Sequence, residues 1–146
     1  MTRVYFVRHA KPDKSVKDDR NRPLSESGMA DTSFVTETLK DKGIDVAVSS
    51  PYKRSLDTIK AFTDKAGLQI RTDERFRERV GGGPGQGLRK NPERWKAEIW
   101  NEEWGESIEE VRKRNVEALM DWMPNIIEIV FDKKEVVAIN ELGHIG

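Results

Sequence analysis

Arg8 and His9 stand side by side at the end of the apolar run Val4-Tyr5-Phe6-Val7, with Ala10-Lys11-Pro12 following. A neutral imidazole is a nucleophile and an adjacent guanidinium clamps phosphate oxygens, so the pair suits phosphoryl transfer through a phosphohistidine. A second basic group, Arg54, lies in Ser49-Ser50-Pro51-Tyr52-Lys53-Arg54-Ser55, directly after another apolar run. On residue type alone it reads as a surface arginine on an exposed helix face, the commoner fate of arginine. A carboxylate for proton transfer is offered twice by Asp73-Glu74-Arg75-Phe76-Arg77-Glu78-Arg79, at Glu74 and at Glu78, although such a run is commonly just a solvated one. The chain has no cysteine, which excludes disulfides, thiolate metal sites and cysteine nucleophiles; its only histidines are His9 and His144.

These residues need elements to place them. Val4 to Val7 is β-branched or aromatic throughout, the pattern of a strand covered on both faces in an α/β sheet, and Pro12 forbids further pairing. Ligands of open α/β sheets bind beyond the carboxyl ends of strands, where Arg8 and His9 stand. Lys14 to Arg22 is a charged, turn-rich loop. Ser25 or Ser27 then caps a first helix whose Phe34, Val35, Thr38 and Leu39 recur at helical spacing until Gly43. Ile44 to Val48 is a second buried strand. Ser50 as N-cap and Pro51 at the first helical position open a second helix that runs to Gly67, aiming free N–H groups at the sheet edge. Leu68 to Thr72 reads as a more polar edge strand.

Gly81-Gly82-Gly83-Pro84-Gly85-Gln86-Gly87 lacks the Gly-Lys-Ser/Thr ending of a nucleotide-cradling loop and reads as a lid or linker. A helix from Asn91 carries Trp95, Ile99, Trp100 and Trp104, as core packing or as an aromatic wall over the site. Ser107 and Glu110 have capping-box spacing at the start of a further helix, with Ile108, Val111, Leu119, Trp122, Ile126 and Ile129 as its buried stripe and Pro124 as its interruption. Glu135 to Ile139 is a last strand. Strands at Val4–Val7, Val46–Val48 and Val136–Ile139, all ending at one edge and alternating with helices, predict an α/β fold: a three-layer α/β/α sandwich with a mainly parallel central sheet.

The 146 residues fit one domain, 1–146, with a core of its own. Lys plus Arg balances Asp plus Glu at 26 each, which removes the global basic field of a nucleic-acid binder. No apolar run is long enough for a signal peptide or a membrane span, so no membrane partner is expected and the chain is expected in the cytoplasm.

Arg8-His9-Ala10 after a first apolar strand resembles the Arg-His-Gly motif of the histidine phosphatase superfamily, which includes the cofactor-dependent phosphoglycerate mutases. Leu24-Ser25-Glu26-Ser27-Gly28 is similar to that family's entry to its first helix. Ser49-Ser50-Pro51-Tyr52-Lys53-Arg54 resembles its second motif, Asp73 to Glu78 its Asp-x-Arg-Leu-Arg-Glu segment with Phe76 for leucine, and Gly105-Glu106-Ser107 its entry to a long helix. The resemblance implies a phosphomonoester hydrolase in which His9 carries the phosphoryl group. Arg8 and Arg54 bind its oxygens, and Glu78 rather than Glu74 protonates the leaving alcohol. No cofactor and no metal are implied, and the partner is a small-molecule phosphomonoester. A mutase-type phosphoryl transferase shares this machinery, and a non-catalytic phosphate or phosphoprotein binder is the rival from another class. The loops Lys14 to Arg22 and Gly81 to Lys90 match no substrate signature.

The resemblance ends near Ala138. Where family members carry a second catalytic histidine in a Ser-His-Gly turn, this chain reads Ile139-Asn140-Glu141, with His144 four residues beyond Asn140. The expectation is that Asn140 stands in that position, that the chain lacks the family's last helix and strand through truncation or an altered reading frame, that activity is weak or absent, and that apolar surface left exposed leads to a homodimer or to poor solubility.

Overall fold

In a computed structural model the described residues are 2–80, 105–122, 126–133 and 135–140. The expected helix from Asn91, the Gly81–Lys90 loop, Pro124 and His144 lie outside them. Strand β1 is Thr2–Phe6, β2 is Ala47–Ser49, β3 is Ile70–Thr72, β4 is Ile126–Lys133 and β5 is Glu135–Asn140; helix α1 is Glu26–Leu39, α2 is Lys53–Ala66 and α3 is Ile108–Trp122. A 3-10 turn covers Glu74–Phe76. The class is α/β, as expected: β1 pairs parallel with β4 and β2 parallel with β3. The ladders form a three-stranded sheet, β1-β4-β5, and a two-stranded one, β2-β3. Among the described residues no helix is long and apolar enough to cross a membrane.

Three expectations are corrected. First, Ile126 and Ile129 belong to β4, not to the stripe of a helix. Helix α3 stops at Trp122, two residues before Pro124, and Ile-Ile-Glu-Ile-Val-Phe is β-branched and aromatic, which favours the extended chain. Second, β5 runs antiparallel to β4, with Lys133 opposite Glu135 and Glu128 opposite Asn140. Strands joined by one residue can only reverse, because a parallel return needs a crossover of about a dozen residues or more. The strand at Val136–Ile139 therefore ends at the edge opposite to β1's carboxyl end. Third, Val4 to Val7 are half-buried rather than covered on both faces.

Helix α1 buries Gly28, Thr32, Thr36 and Leu39, while Phe34 is 67% exposed, so its inward face is not the apolar spacing read from the sequence. Threonine can turn inward because its hydroxyl bonds to the helix's own carbonyls, Thr36 Oγ1 to Thr32 O at 2.9 Å and Thr32 Oγ1 to Met29 O at 2.7 Å. Ser25 is the N-cap, accepting from Gly28 N at 3.1 Å. The helix entry sits tight on the segment after His9. Ser25 N donates to Lys11 O at 2.9 Å, and a Cβ on Gly28 would fall 2.2 Å from that same carbonyl oxygen. Only glycine allows this approach.

Helix α2 packs on α1 and ends, as expected, at Gly67, which takes the left-handed conformation with φ 68°. Its start is later than expected. Tyr52 occupies the N-cap position without a side-chain bond, and Ser50 Oγ instead accepts from Tyr52 N at 3.2 Å, closing the turn ahead of the helix. The capping box of α3 is formed in both directions: Glu110 N donates to Ser107 Oγ at 3.1 Å and Ser107 N to Glu110 Oε2 at 2.7 Å.

Candidate active site

Beyond the end of β1 the chain passes through Val7, Arg8 and His9 into a cavity of about 460 Å³. Ser50, Arg54 and Ser55 from the β2–α2 turn, Phe76 to Arg79 from the segment after β3, and Ile108, Val111 and Asn115 of α3 complete its walls. His9 Nδ1 lies 2.8 Å from the carbonyl oxygen of Ala10. A carbonyl can only accept, so Nδ1 donates this bond, and in the neutral imidazole that leaves the lone pair on Nε2. The position of the loop itself is fixed from α2: Ala10 N donates to Thr58 Oγ1 at 3.0 Å, and Thr58 Oγ1 donates to Arg54 O at 2.7 Å. Thr58 is buried and was not singled out in the sequence, although its place one helical turn after Arg54 puts it on the same face.

Arg54 is 4% exposed, which decides against the surface-arginine reading. Its Nη1 donates to the main-chain oxygen of Asp19 at 2.7 Å and lies 3.2 Å from the Asp19 carboxylate; its guanidinium stacks 4.7 Å from the Tyr52 ring. The Lys14–Arg22 loop is thus latched onto the start of α2, with Lys53 N donating to Arg20 O at 2.9 Å and Arg22 holding Asp19 at 2.7 Å. The other end of the fork, Nη2, faces Glu78 Oε2 at 3.6 Å, and the same oxygen lies 4.0 Å from His9 Nε2. His9, Arg54 and Glu78 therefore converge on one point. Glu74 does not join them: it pairs with Arg20, which holds its carboxyl below the usual range. Arg8 lines the same cavity from an exposed position and makes no ion pair among the described residues.

Glu78 is half-exposed and lies on an irregular segment held by charge. Burial pushes the Glu106 carboxyl up, but the Arg114 guanidinium, the Val80 N–H and the Arg77 charge outweigh it and hold the group below its ordinary value. Arg75 likewise holds Asp73 far below the carboxylate range against its burial, helped by the Trp122 indole N–H at 2.8 Å. Neither Glu106 nor Arg114 was marked as functional from the sequence. Among the described residues no group of acidic and histidine side chains is placed to hold a metal ion.

Asn140 is not at this site. Its Cα partner Glu128 is in turn the partner of Arg3, so Asn140 lies at the amino end of β1. At about 3.3 Å of rise per residue, Arg3 is already about 10 Å from Phe6, and His9 is farther still.

The description of the histidine phosphatase superfamily (branch 1) matches the chain over residues 4–127. The chain belongs to this superfamily. A probable phosphoglycerate mutase, GpmB, of Yersinia pestis is 30% identical over 118 residues, covering 75% of this chain and 55% of its relative, and the Yersinia pseudotuberculosis protein of that name matches equally. The chain spans about half the length of the curated relatives it matches. Among solved structures, a mycobacterial glucosyl-3-phosphoglycerate phosphatase in complex with inorganic phosphate superposes with TM-score 0.67 at 23% identity, over 84% of this chain and 62% of that one. YhfR of Bacillus stearothermophilus gives 0.66 at 22% identity, over 89% and 72%. Both likenesses concern the histidine phosphatase fold, which fits the α/β architecture described above.

Proposed function

We propose that the chain is a phosphomonoester hydrolase working through a phosphohistidine on His9. The observation that carries this is the convergence on one point of the Nε2 of His9, the buried guanidinium of Arg54 and the carboxylate of Glu78. In the first step Nε2 forms a bond to phosphorus while the bond from phosphorus to the alcohol oxygen breaks, and Glu78 delivers its proton to that oxygen. Arg54, with Arg8 at the rim, meets the charge on the phosphoryl oxygens. In the second step water attacks phosphorus, Glu78 takes back a proton, and the nitrogen–phosphorus bond breaks to release phosphate. Hydrolysis is favoured over transfer to a second alcohol by the exposure of Glu78, which leaves the carboxylate open to water. The name of the Yersinia relatives supports the second reading, a mutase-type transfer, in which a phosphoglycerate hydroxyl replaces water.

The test is covalent trapping. With a radiolabelled aryl phosphate and an alkaline denaturing quench, in which phosphohistidine survives, label is expected on His9, and His9→Ala should lose label and turnover together. Label persisting in His9→Ala sinks the assignment. Adding glycerate phosphates as acceptors separates the two readings: phosphate release unchanged by acceptor supports hydrolysis.

A further inference from the structure

Glu78 is the most exposed of the converging trio and lies outside helix and strand, yet its carboxylate must meet His9 and Arg54 to within an ångström or so. Arg114, on α3, reaches across to the main chain on both sides of it. Its Nη1 donates to Arg75 O at 2.5 Å and to Arg77 O at 3.0 Å, and its Nη2 lies 3.5 Å from Glu78 O. Glu106 braces the guanidinium from behind, at 3.0 Å to both Nε and Nη2. The same carboxylate accepts from Arg77 Nη2 at 2.5 Å and from Val80 N at 3.0 Å, while Glu106 N donates to Val80 O at 2.9 Å. Both side chains are largely buried, at 12% and 15% exposure, so their hydrogen bonds are little screened by water.

We propose that Arg114, braced by Glu106, is a positioning residue for the reaction: by clamping the carbonyls of residues 75, 77 and 78 it sets where the Glu78 carboxylate stands relative to His9 and Arg54. A planar fork with five donors is the side chain that can hold three carbonyls and a carboxylate at once. Glu78 is exposed and pairs only loosely across the cavity, so its aim comes from the main chain that carries it. The inference rests on the reading of Glu78 as the proton donor.

The experiment compares two leaving groups on the full chain. An alkyl phosphate needs a proton to leave, whereas nitrophenolate leaves without one. Arg114→Met should lower kcat for the alkyl phosphate about ten- to a hundredfold, part of what a general acid supplies, with little change for nitrophenyl phosphate. Placed in the Glu78→Gln background it should add no more than about twofold, since the two act through one group. Equal loss on both substrates, or full additivity in the double variant, overturns the proposal. If Arg114→Met fails to fold, Arg114→Lys, which keeps the charge but not the fork, should show the same selectivity, and an unselective loss there is equally decisive. A readout independent of turnover is amide exchange at Val80. It should quicken about tenfold in Arg114→Met, because the Glu106 carboxylate that accepts the Val80 N–H loses the guanidinium that holds it, with α2 amides unaffected. Unchanged Val80 exchange overturns the clamp itself, whereas a Glu78→Gln variant blind to the leaving group removes the role of Glu78 and leaves the clamp standing as structure only.

Discussion

Arg54 and Glu78 lie 3.6 Å apart, yet one is 4% exposed and bonded to a main-chain carbonyl, while the other is 54% exposed on a segment held by guanidinium–carboxylate contacts. The floor of the site, made of His9 and Arg54, is joined to the fold mainly through backbone and hydroxyl groups, Ala10 N to Thr58, Ser25 N to Lys11 O and Lys53 N to Arg20 O, with the Asp19 carboxylate on Arg54 as its charge pair. The opposite wall, residues 75–80, is joined through Arg75, Arg77, Glu106 and Arg114. Neutral hydrogen bonds do not titrate. Charge pairs do, so the two sides of one site should answer differently to substitution, acid and salt.

The largest expected effect is on the floor. Arg54→Ala should lower kcat by about a hundred- to a thousandfold, the usual cost of removing one preorganised donor to transition-state charge, roughly 3 to 4 kcal/mol. Steady-state kinetics with nitrophenyl phosphate checks this, and a change confined to KM would place Arg54 in ground-state binding instead. Next comes the close approach under His9. Gly28→Ala puts a methyl carbon against the Lys11 carbonyl, a backbone atom that can move only with its segment, and should cost about 1 to 3 kcal/mol of stability in a thermal melt. An unchanged melting temperature would mean that α1 and residues 10–12 separate freely, and the contrast with the opposite wall would lose its basis.

The smallest effect is selective for the charged wall. Glu106 and Asp73 both have carboxyls held below their ordinary values in the folded chain. A group whose folded pKa is depressed contributes stability that is present above its unfolded value and is lost as pH falls through the folded one. Acidification below the ordinary carboxylate range should therefore loosen residues 75–80 before it loosens the floor. Amide exchange at Val80, corrected for intrinsic rates, should rise at a higher pH than exchange at Ala10. If the two rise together, the site opens as a unit.

Much of the floor, and the start of α3, was legible because it is local. A continuous β-branched run ending in Arg8-His9, an apolar strand leading through Ser49-Ser50-Pro51 to Arg54, and Ser107 three residues before Glu110 each state their geometry within a few positions. Backbone stereochemistry and capping act over that range. The burial of Arg54 was not legible, since an arginine in a first helical turn looks the same whether a loop or water covers it. Phe34 against Thr32 and Thr36 was misread for a related reason. Which face of α1 turns inward is chosen by the helix it meets, and a hydroxyl satisfied on its own backbone packs as a small apolar group would.

What the sequence by itself determined, then, is the identity and order of the candidate groups: an imidazole, two guanidiniums and a carboxylate, each beside a recognisable break in the chain. What only the tertiary structure decided is which of them meet. Asn140 was expected beside His9, but the one-residue link between β4 and β5 forces a reversal and carries it to the far edge. Glu78 meets His9 and Arg54, and Glu74 is diverted to Arg20. Arg114 does its work through carbonyls 36 to 39 residues away in the chain. Every residue has a carbonyl, so a contact to main chain leaves no mark on residue type, and only the packing of α3 against residues 75–80 selects which carbonyls Arg114 reaches.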